Sequence, residues 1–274
     1  MNEKTLYVLR TKIYQPQAHY RIPFTYQRRH SYPIPPYSTV IGFLCNLLGY
    51  DGMPAEHKYL KNIKISVAGR FEIKTAEYVW FRNLSKDAHL KRFRAVENRS
   101  LGGRAEHIGG QSPVLIDILN EVTLIIYLAH NDKAFVDHIR HSLLTSDHRL
   151  EVLHLGRAED WVVFQEISQV YKILDFNTMR IDANFGYFFW IPEKIYQPAS
   201  KDELTAFEHF DGLVYRIPTF WTVENYNSTF NRHGRRIFKY MTTKLSDGLF
   251  RQKYFLFDTE INLPVFLADF GGEP

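Results

Sequence analysis

Arginine side chains are the residues of this chain best suited to binding chemistry, and several of them precede a short helix signature. Arg21, Arg28 and Arg29 come shortly before residues 32–49, which read YPIPPYSTVIGFLCNLLG. Three prolines stiffen the entry to this run, and we expect Ser38 to cap the helix that follows. Backbone N–H groups at a helix N-terminus attract anions. The combination predicts an anion site at the helix tip.

Charge is distributed unevenly along the chain, although the net charge is only +4. Residues 4–50 hold six cations and no acid, residues 228–244 hold five cations and no acid, and residues 86–104 carry a net charge of +4. These segments together carry +15, so the remainder carries −11. A single basic run is usually a solvated face, but three of them favour a surface that binds a polyanion.

The residues expected to bind the polyanion are helix-tip groups, cations and an aromatic ring. Phosphates need arginine, lysine and helix amides, and unpaired bases need aromatic faces. The predicted contacts are Arg21, Arg28, Arg29, Tyr37, Ser38, Thr39, Lys91, Arg92, Arg94, Arg157, Arg235 and Arg236. Tyr26 and Tyr32 are further stacking candidates. Arg157, in the motif LGRAED at residues 155–160, has a second interpretation as part of a salt-bridged structural turn.

The elements that must position these residues follow a β-α-β-β-α-β order. Strands are predicted over 5–13, 114–129 and 162–170, and residues 63–67 and 78–81 are predicted to form one second strand region. Helices are predicted after Ser38 and over 133–144, the second with Asp132 as its cap. This order is that of an α+β, ferredoxin-like (RRM-like) fold, which is a four-stranded antiparallel sheet with both helices on one face. The opposite face of such a sheet is expected to be open, as in RNA-recognition domains.

Two further segments complete the predicted organisation. Residues 85–111 are basic and glycine-containing, with little apolar content, and form a thumb-like insertion in a first domain of residues 1–180. After Asp182 the chain becomes rich in aromatic, strand-like runs. We therefore predict a smaller, β-rich C-terminal domain over residues 181–274.

The compartment expected from the composition is the cytoplasm. Apolar runs are too short to span a bilayer, and the start of the chain lacks the pattern of a signal peptide. The chain has one cysteine, Cys45, so no intrachain disulfide is possible. We expect no contact with a membrane.

A resemblance to a known family comes from three sequence elements. The proline-Ser-Thr-x-x-Gly run in residues 32–49, the segment HYRIPF at 19–24 and LGRAED at 155–160 resemble the fifth CRISPR-associated protein family of the RAMP superfamily. The similarity covers most of the first 175 residues in order and spacing. It implies a crRNA-binding subunit that caps the 5′ handle in a type I Cascade, a ribonucleoprotein complex of antiviral defence.

The same resemblance implies the partners of such a subunit. These would be the crRNA 5′ handle, the Cascade backbone subunit, which would contact the thumb, and the Cascade large subunit. Whether the chain also touches target DNA near the PAM is left open by the sequence.

Catalysis is the alternative, since one branch of this family cuts precursor crRNA without a metal. Side chains suited to such proton transfers are His19, His30, Lys12, Tyr14, Tyr37, His89 and His107. None of them falls into a spacing that marks a catalytic set, so we predict no catalytic residues. P-loop, zinc-ribbon and dinucleotide-binding motifs are absent from the sequence, and no cofactor or metal is expected. A third hypothesis is a stand-alone RNA-binding module.

Overall fold

The structure is a computed structural model. It describes residues 5–51, 57, 59–82, 100–101, 104–105, 111–145, 147–198, 204–224 and 235–271. Its strands in the first half of the chain are β1 (Tyr7–Ala18), β2 (Tyr20–Arg21), β3 (Arg28–Arg29), β4 (Ser31–Tyr32), β5 (Lys64–Arg70), β6 (Ile73–Arg82), β7 (Ser100–Leu101), β8 (Arg104–Ala105) and β9 (Gln111–His130). Those of the second half are β10 (Val163–Lys172), β11 (Asn177–Asn184), β12 (Phe188–Pro192), β13 (Leu213–Glu224), β14 (Arg235–Ser246), β15 (Leu249–Asp258) and β16 (Leu263–Val265). The α-helices are α1 (Tyr37–Leu47) and α2 (Lys133–Leu144).

One large sheet organises the described part of the chain. Nine of the described strands form it along the path β10-β1-β9-β5-β12-β14-β13, with β3 and β6 also paired to β9. At one end β10, β1, β9 and β5 are antiparallel neighbours. In chain order these four strands and the two helices run β1-α1-β5-β9-α2-β10. The predicted α+β class is confirmed, as a sheet-rich architecture with few helices.

The two helices test the predicted start and stop signals. Helix α2 has the predicted bounds, and the Asp132 side chain accepts a hydrogen bond from the Ala134 N–H at 2.9 Å. Helix α1 begins at Tyr37, two residues earlier than expected, after Pro36, and it has no side-chain cap. The predicted Ser38 cap is wrong, because the proline-rich turn leads directly into the helix. Gly49, with φ of 71°, follows the C-cap residue Leu48.

Both faces of the large sheet are covered around β1, β5 and the second half of β9. The helices pack on one face against residues such as Leu9 and Ile13. On the opposite face Leu6, Val8 and Tyr127 are buried with phenylalanines of the C-terminal part, where β11, β15 and β16 form a second sheet. The expected open face is therefore wrong. Strand β9 is apolar on both faces in its second half, and its outer face needs this cover.

The paired strands β6 and β9 form an arm that leads to the predicted thumb insertion. Strands β5 and β6 pair with β9 in one register, from Lys64 opposite Ala129 to Arg82 opposite Gln111. The insertion therefore leaves and re-enters the sheet at paired positions. Within it, β7 and β8 form a short antiparallel pair. The predicted contacts Lys91, Arg92 and Arg94 lie outside the described residues.

The predicted domain division near residue 180 stays a prediction. Strands β12, β14 and β13 continue the large sheet that the first part of the chain begins, while β11, β15 and β16 lie across it. The described C-terminal part is rich in strands, as its composition indicated. In the described part of the chain, no helix is long and apolar enough to cross a membrane.

Arg10 is a cation of the basic N-terminal segment that the fold removes from the surface. Its side chain is 2% exposed, and its guanidinium pairs with Asp258 at 2.6 Å, with Glu260 at 3.0 Å and with Glu166. Burial alone would lower the pKa of Arg10, but these carboxylates raise it above its ordinary value. These ion pairs link strand β1 to the C-terminal part of the chain.

We expect Arg10→Met to lower the free energy of unfolding by about 3–5 kcal/mol, because it leaves a buried carboxylate without its partner. Urea denaturation followed by circular dichroism measures this. Arg180→Met, on the exposed strand β11, is the control and should change stability by less than about 0.5 kcal/mol. Equal effects of the two substitutions would contradict the role assigned to Arg10.

Gly42, in the middle of α1, is expected to tolerate alanine. A Cβ at this position would meet Cη2 of Trp221 at 3.5 Å, an ordinary van der Waals contact. Because glycine inside a helix costs about 1 kcal/mol relative to alanine, Gly42→Ala should raise stability by up to that amount. A loss of stability in thermal denaturation would show that the helix needs closer approach than the structure has.

Candidate nucleic-acid interface

A cleft of about 1070 Å³ lies at the tip of α1. The predicted contacts that line it are Arg21, Arg29, Ser38, Thr39, Arg157 and Arg236. Its aromatic and apolar lining includes Pro23, Phe24, Val79, Ile116, Phe238 and Tyr240. The structure therefore brings together in one cleft residues that the sequence places more than 200 positions apart.

The helix tip opens onto this cleft. Pro36, Ser38 and Thr39 line it, and both hydroxyl-bearing residues are partly exposed. The Thr39 N–H donates to the Pro36 carbonyl at 3.0 Å, so it is already used within the turn. The Ser38 amide, in the first turn of the helix, has no carbonyl to bond to within the helix. Of the Ser38 and Thr39 amides, only that of Ser38 is therefore a candidate to bind an anion.

Three cations on the cleft come from separate elements. Arg21 ends β2, Arg29 ends β3, and Arg236 lies near the start of β14. Burial, with the nearby positive charge of Arg21, lowers the pKa of Arg29. The Arg236 guanidinium lies 5.6 Å from the ring centroid of Trp221, in a cation–π contact. These three arginines form the positive wall of the cleft.

The LGRAED loop forms another wall and uses Arg157 internally. The Arg157 guanidinium lies 2.7 Å from Asp160, 3.2 Å from Glu159 and 3.7 Å from Glu77. Burial alone would lower the pKa of Arg157, but the carboxylates, with Asp160 foremost, raise it. Of the two interpretations of this motif, the geometry matches the salt-bridged turn.

His19 is buried at the base of the cleft and is 4% exposed. Its Nδ1 lies 2.8 Å from the Asp117 carbonyl, which accepts, so Nδ1 carries the proton. Burial, with Arg157 and Arg21 nearby, lowers the pKa of His19. Its Nε2 is enclosed and has no hydrogen-bond partner among the described residues. The imidazole is therefore a neutral group with an unused acceptor.

Other predicted contacts lie away from the cleft. Tyr37 is fully buried, its ring meets Phe270 edge-on at 5.3 Å, and burial raises the pKa of its phenol. It is not available for stacking. Arg28 points to Asp117 at 3.2 Å. Tyr32 is buried against Trp190, whereas Tyr26 is 73% exposed. The structure does not describe the side chain of Arg235.

Phe24, Phe238 and Tyr240 are cleft residues that were not predicted. Phe24 is 81% exposed and Tyr240 is 38% exposed. The last two alternate with Arg236 along β14, a period-2 pattern visible in NRHGRRIFKY. Phe24 sits in HYRIPF, and its exposure in a loop has no signal in the sequence.

In the part of the chain that the structure describes, no group of three or more His, Cys, Asp or Glu side chains is arranged to hold a metal ion. The fold and the cleft thus define a sheet-rich α+β protein with a site suited to an anionic ligand that also carries flat rings.

Comparison with known proteins gives a match to one family model. Residues 8–113 match the model of the family described as CRISPR-associated protein (Cas_Cas5). The resemblance recognised in the sequence is confirmed by this match, which covers 106 of the 274 residues of the chain. A search of curated proteins gave no match.

Solved structures with similar folds have low sequence identity to this chain. A chain of a "CRISPR RNA-guided surveillance complex" is 13% identical with a TM-score of 0.51, over 87% of this chain and 89% of that one. A "Cas protein" is 10% identical with a TM-score of 0.45, over 94% and 98%. A CRISPR protein from Archaeoglobus fulgidus is 12% identical with a TM-score of 0.37, over 96% and 99%. The first of these shows a shared fold.

Gly156, which begins the turn of LGRAED, should be essential to the cleft wall. Its φ is 113°, and a Cβ there would lie 2.6 Å from Asp160 Oδ2 and 2.9 Å from the His19 carbonyl. We expect Gly156→Ala to cost more than about 2 kcal/mol, from backbone strain and the clash together.

Gly186→Ala is the matched control for Gly156→Ala. Gly186 also has a positive φ, of 67°, but nothing lies within 4 Å of the added Cβ. The control should cost about 1–2 kcal/mol, from strain alone. If chemical denaturation gives equal losses for both variants, the packing assigned to Gly156 is wrong.

Proposed function

We propose that this protein is the crRNA-binding subunit of a type I CRISPR Cascade, acting in the cytoplasm and capping the 5′ handle of the crRNA. The observation that carries the proposal is the cleft, where cations meet exposed aromatic rings at a helix tip. Single-stranded RNA is held by contacts of these two kinds, with phosphates on cations and splayed bases on rings. The family match over residues 8–113 supports the same assignment.

We propose a ferredoxin-like arrangement for residues 1–180. The antiparallel order β10-β1-β9-β5, with α1 and α2 packed in the same core, supports it. The helix tip and the cationic strands β2 and β3 then lie at one end of this unit. The C-terminal part would serve as a second wall of the cleft through β13 and β14.

The arm formed by β6 and β9 supports a contact with the Cascade backbone subunit. Tyr78 and Trp80 on β6 are 59% and 52% exposed, and their rings meet edge-on at 5.8 Å. Exposed Tyr and Trp are enriched in protein interfaces. The thumb insertion would extend this surface towards the backbone subunit. The Cascade large subunit would be a second neighbour.

The non-catalytic role is the one we propose. Among the side chains suited to RNA cleavage, His19 and Tyr37 are both buried. His30 is bound to the Asp117 carboxylate at 3.0 Å. None of these three offers an accessible acid and base on the cleft that could act together on a 2′-hydroxyl.

Removing a cleft cation should weaken RNA binding. We expect Arg21→Ala and Arg236→Ala each to reduce affinity for single-stranded repeat RNA about tenfold, since hydrogen bonds to charged groups contribute about 1.5–3 kcal/mol. Each substitution should also lower the slope of log affinity against log salt by about 0.7 per lost phosphate contact. Fluorescence anisotropy across a salt series measures both quantities.

Arg180→Ala, a cation on β11 that does not line the cleft, is the matched control and should leave the affinity nearly unchanged. Equal losses in all three variants would indicate diffuse charge attraction and contradict the proposed site. The same mixtures, incubated with EDTA and resolved on a gel, test the alternative. Site-specific cleavage of the repeat would replace the binding role with the nuclease.

A further inference from the structure

The cleft has a second wall with the opposite hydrogen-bonding character. Glu77 and Glu159 line it with carboxylates that are 42% and 65% exposed. Ionised carboxylates accept hydrogen bonds and cannot donate them. The donor groups of Arg157, on the same wall, are directed at Asp160 and these two acids. A ligand in the cleft therefore meets both positive charge and acceptor groups.

Carboxylates in a cleft for a polyanion need an explanation, because they repel phosphates. One explanation is that the carboxylates act as counterions of Arg157. However, Asp160 already accepts two hydrogen bonds from that arginine, at 3.0 Å from Nε and 2.7 Å from Nη2. The Glu77 contact to Arg157 is longer, at 3.7 Å. Glu77 is thus only loosely held by this arginine and keeps acceptor capacity for a ligand.

Glu77 is better placed for recognition than Glu159. It lies on β6, opposite Ile116 in the ladder with β9, and regular strands hold side chains more firmly than turns do. Val79 and Ile116, beside it on the cleft, supply an apolar floor. Glu159 projects from the tight turn of LGRAED and is more exposed.

The base edge that best fits a carboxylate is that of guanine. Guanine presents two adjacent donors, N1–H and N2–H, to the two oxygens of one carboxylate. In adenine, cytosine and uracil a donor is flanked by a ring nitrogen or carbonyl acceptor, which faces the second oxygen unfavourably. Phe24, Phe238 and Tyr240 on the same cleft can stack the base while its edge is read.

We propose that Glu77 is a specificity residue that selects an unpaired guanine in the cleft. This inference rests on the proposed RNA-binding function and adds the identity of a base. The positive wall would hold the flanking phosphates, and the carboxylate of Glu77 would accept from N1–H and N2–H.

The test compares octamer RNAs of uridine alone, uridine with one central guanosine, and uridine with one central inosine, which lacks the N2 amine. We expect the wild-type protein to prefer the guanosine octamer over the uridine octamer by about 5- to 150-fold, the discrimination of one bidentate contact. The inosine octamer should fall between them. Fluorescence anisotropy at fixed salt measures the three affinities.

Glu77→Gln and Glu159→Gln form a matched pair, since each removes one negative charge beside Arg157. Both should bind the uridine octamer somewhat more tightly, because repulsion of phosphates falls. Only Glu77→Gln should lose the preference for guanosine. Circular dichroism of both variants should match that of the wild type, since both side chains are partly exposed.

The outcomes separate this inference from the proposed function. Tight binding of the uridine octamer with no guanosine preference would overturn the role of Glu77 and leave RNA binding intact. A preference that survives Glu77→Gln or is lost in Glu159→Gln would also overturn it. Failure of the wild type to bind any of the RNAs would overturn the proposed function, and this inference with it.

Discussion

The cleft depends on one buried carboxylate, that of Asp160. Its oxygens accept from the His19 N–H at 2.9 Å and from the Arg157 N–H at 2.7 Å, besides the Arg157 guanidinium. Asp160 is 1% exposed, so each of these bonds replaces water that the folded chain excludes. The carboxylate thereby joins the LGRAED loop to the segment that carries Arg21. Two walls of the cleft keep a fixed separation for this reason.

A buried polar network extends this junction into the sheet. The Gln15 side chain donates to the Leu155 and Asp160 carbonyls at 2.9 and 2.8 Å. The Tyr20 hydroxyl donates to the Gln15 side chain at 2.6 Å. Because β1 carries Gln15, a strand that is paired on both sides sets the position of the loop. Satisfied buried networks of this kind fix one arrangement of a core.

The helix tip is positioned by residues far along the chain. The Trp190 indole, on β12, donates to the Pro35 carbonyl at 3.0 Å. Tyr32 and Tyr215 meet the same indole edge-on, at 5.6 and 5.7 Å. Prolines restrict the backbone of this turn, but they do not decide where it lies. The C-terminal strands do, and they contribute Arg236 and Phe238 to the same cleft.

Local signals in the sequence were sufficient for elements whose determinants are close together. Helix α2 follows from its apolar spacing and from Asp132, two residues from the amide that it caps. Arg21, Arg29 and Arg236 could be assigned to a surface because clustered positive charge is costly in a core, and all three line the cleft.

Errors arose where a distant partner decides the outcome. Arg10 looks like a surface cation until Asp258, 248 residues later, is placed beside it. Tyr37 looks like a stacking ring until Phe270 covers it. The expected open face failed for the same reason, since its cover comes from β11, β15 and β16. Patterns within one strand report that a side chain is apolar or charged, and they do not report what lies across from it.

Charge on the cleft links ligand binding to the stability of the fold. Burial lowers the pKa of Arg29, and repulsion from the nearby Arg21 guanidinium lowers it further. A phosphate between the two guanidinium groups would turn that repulsion into attraction. A ligand that binds only the folded state stabilises it by mass action. In the proposed function, the cleft cations would favour binding of any single strand, whereas Glu77 and Glu159 would repel a strand that brings no donors. Affinity and selectivity would then come from different side chains of one cleft, and Asp160 holds the loop that carries Glu159 in place.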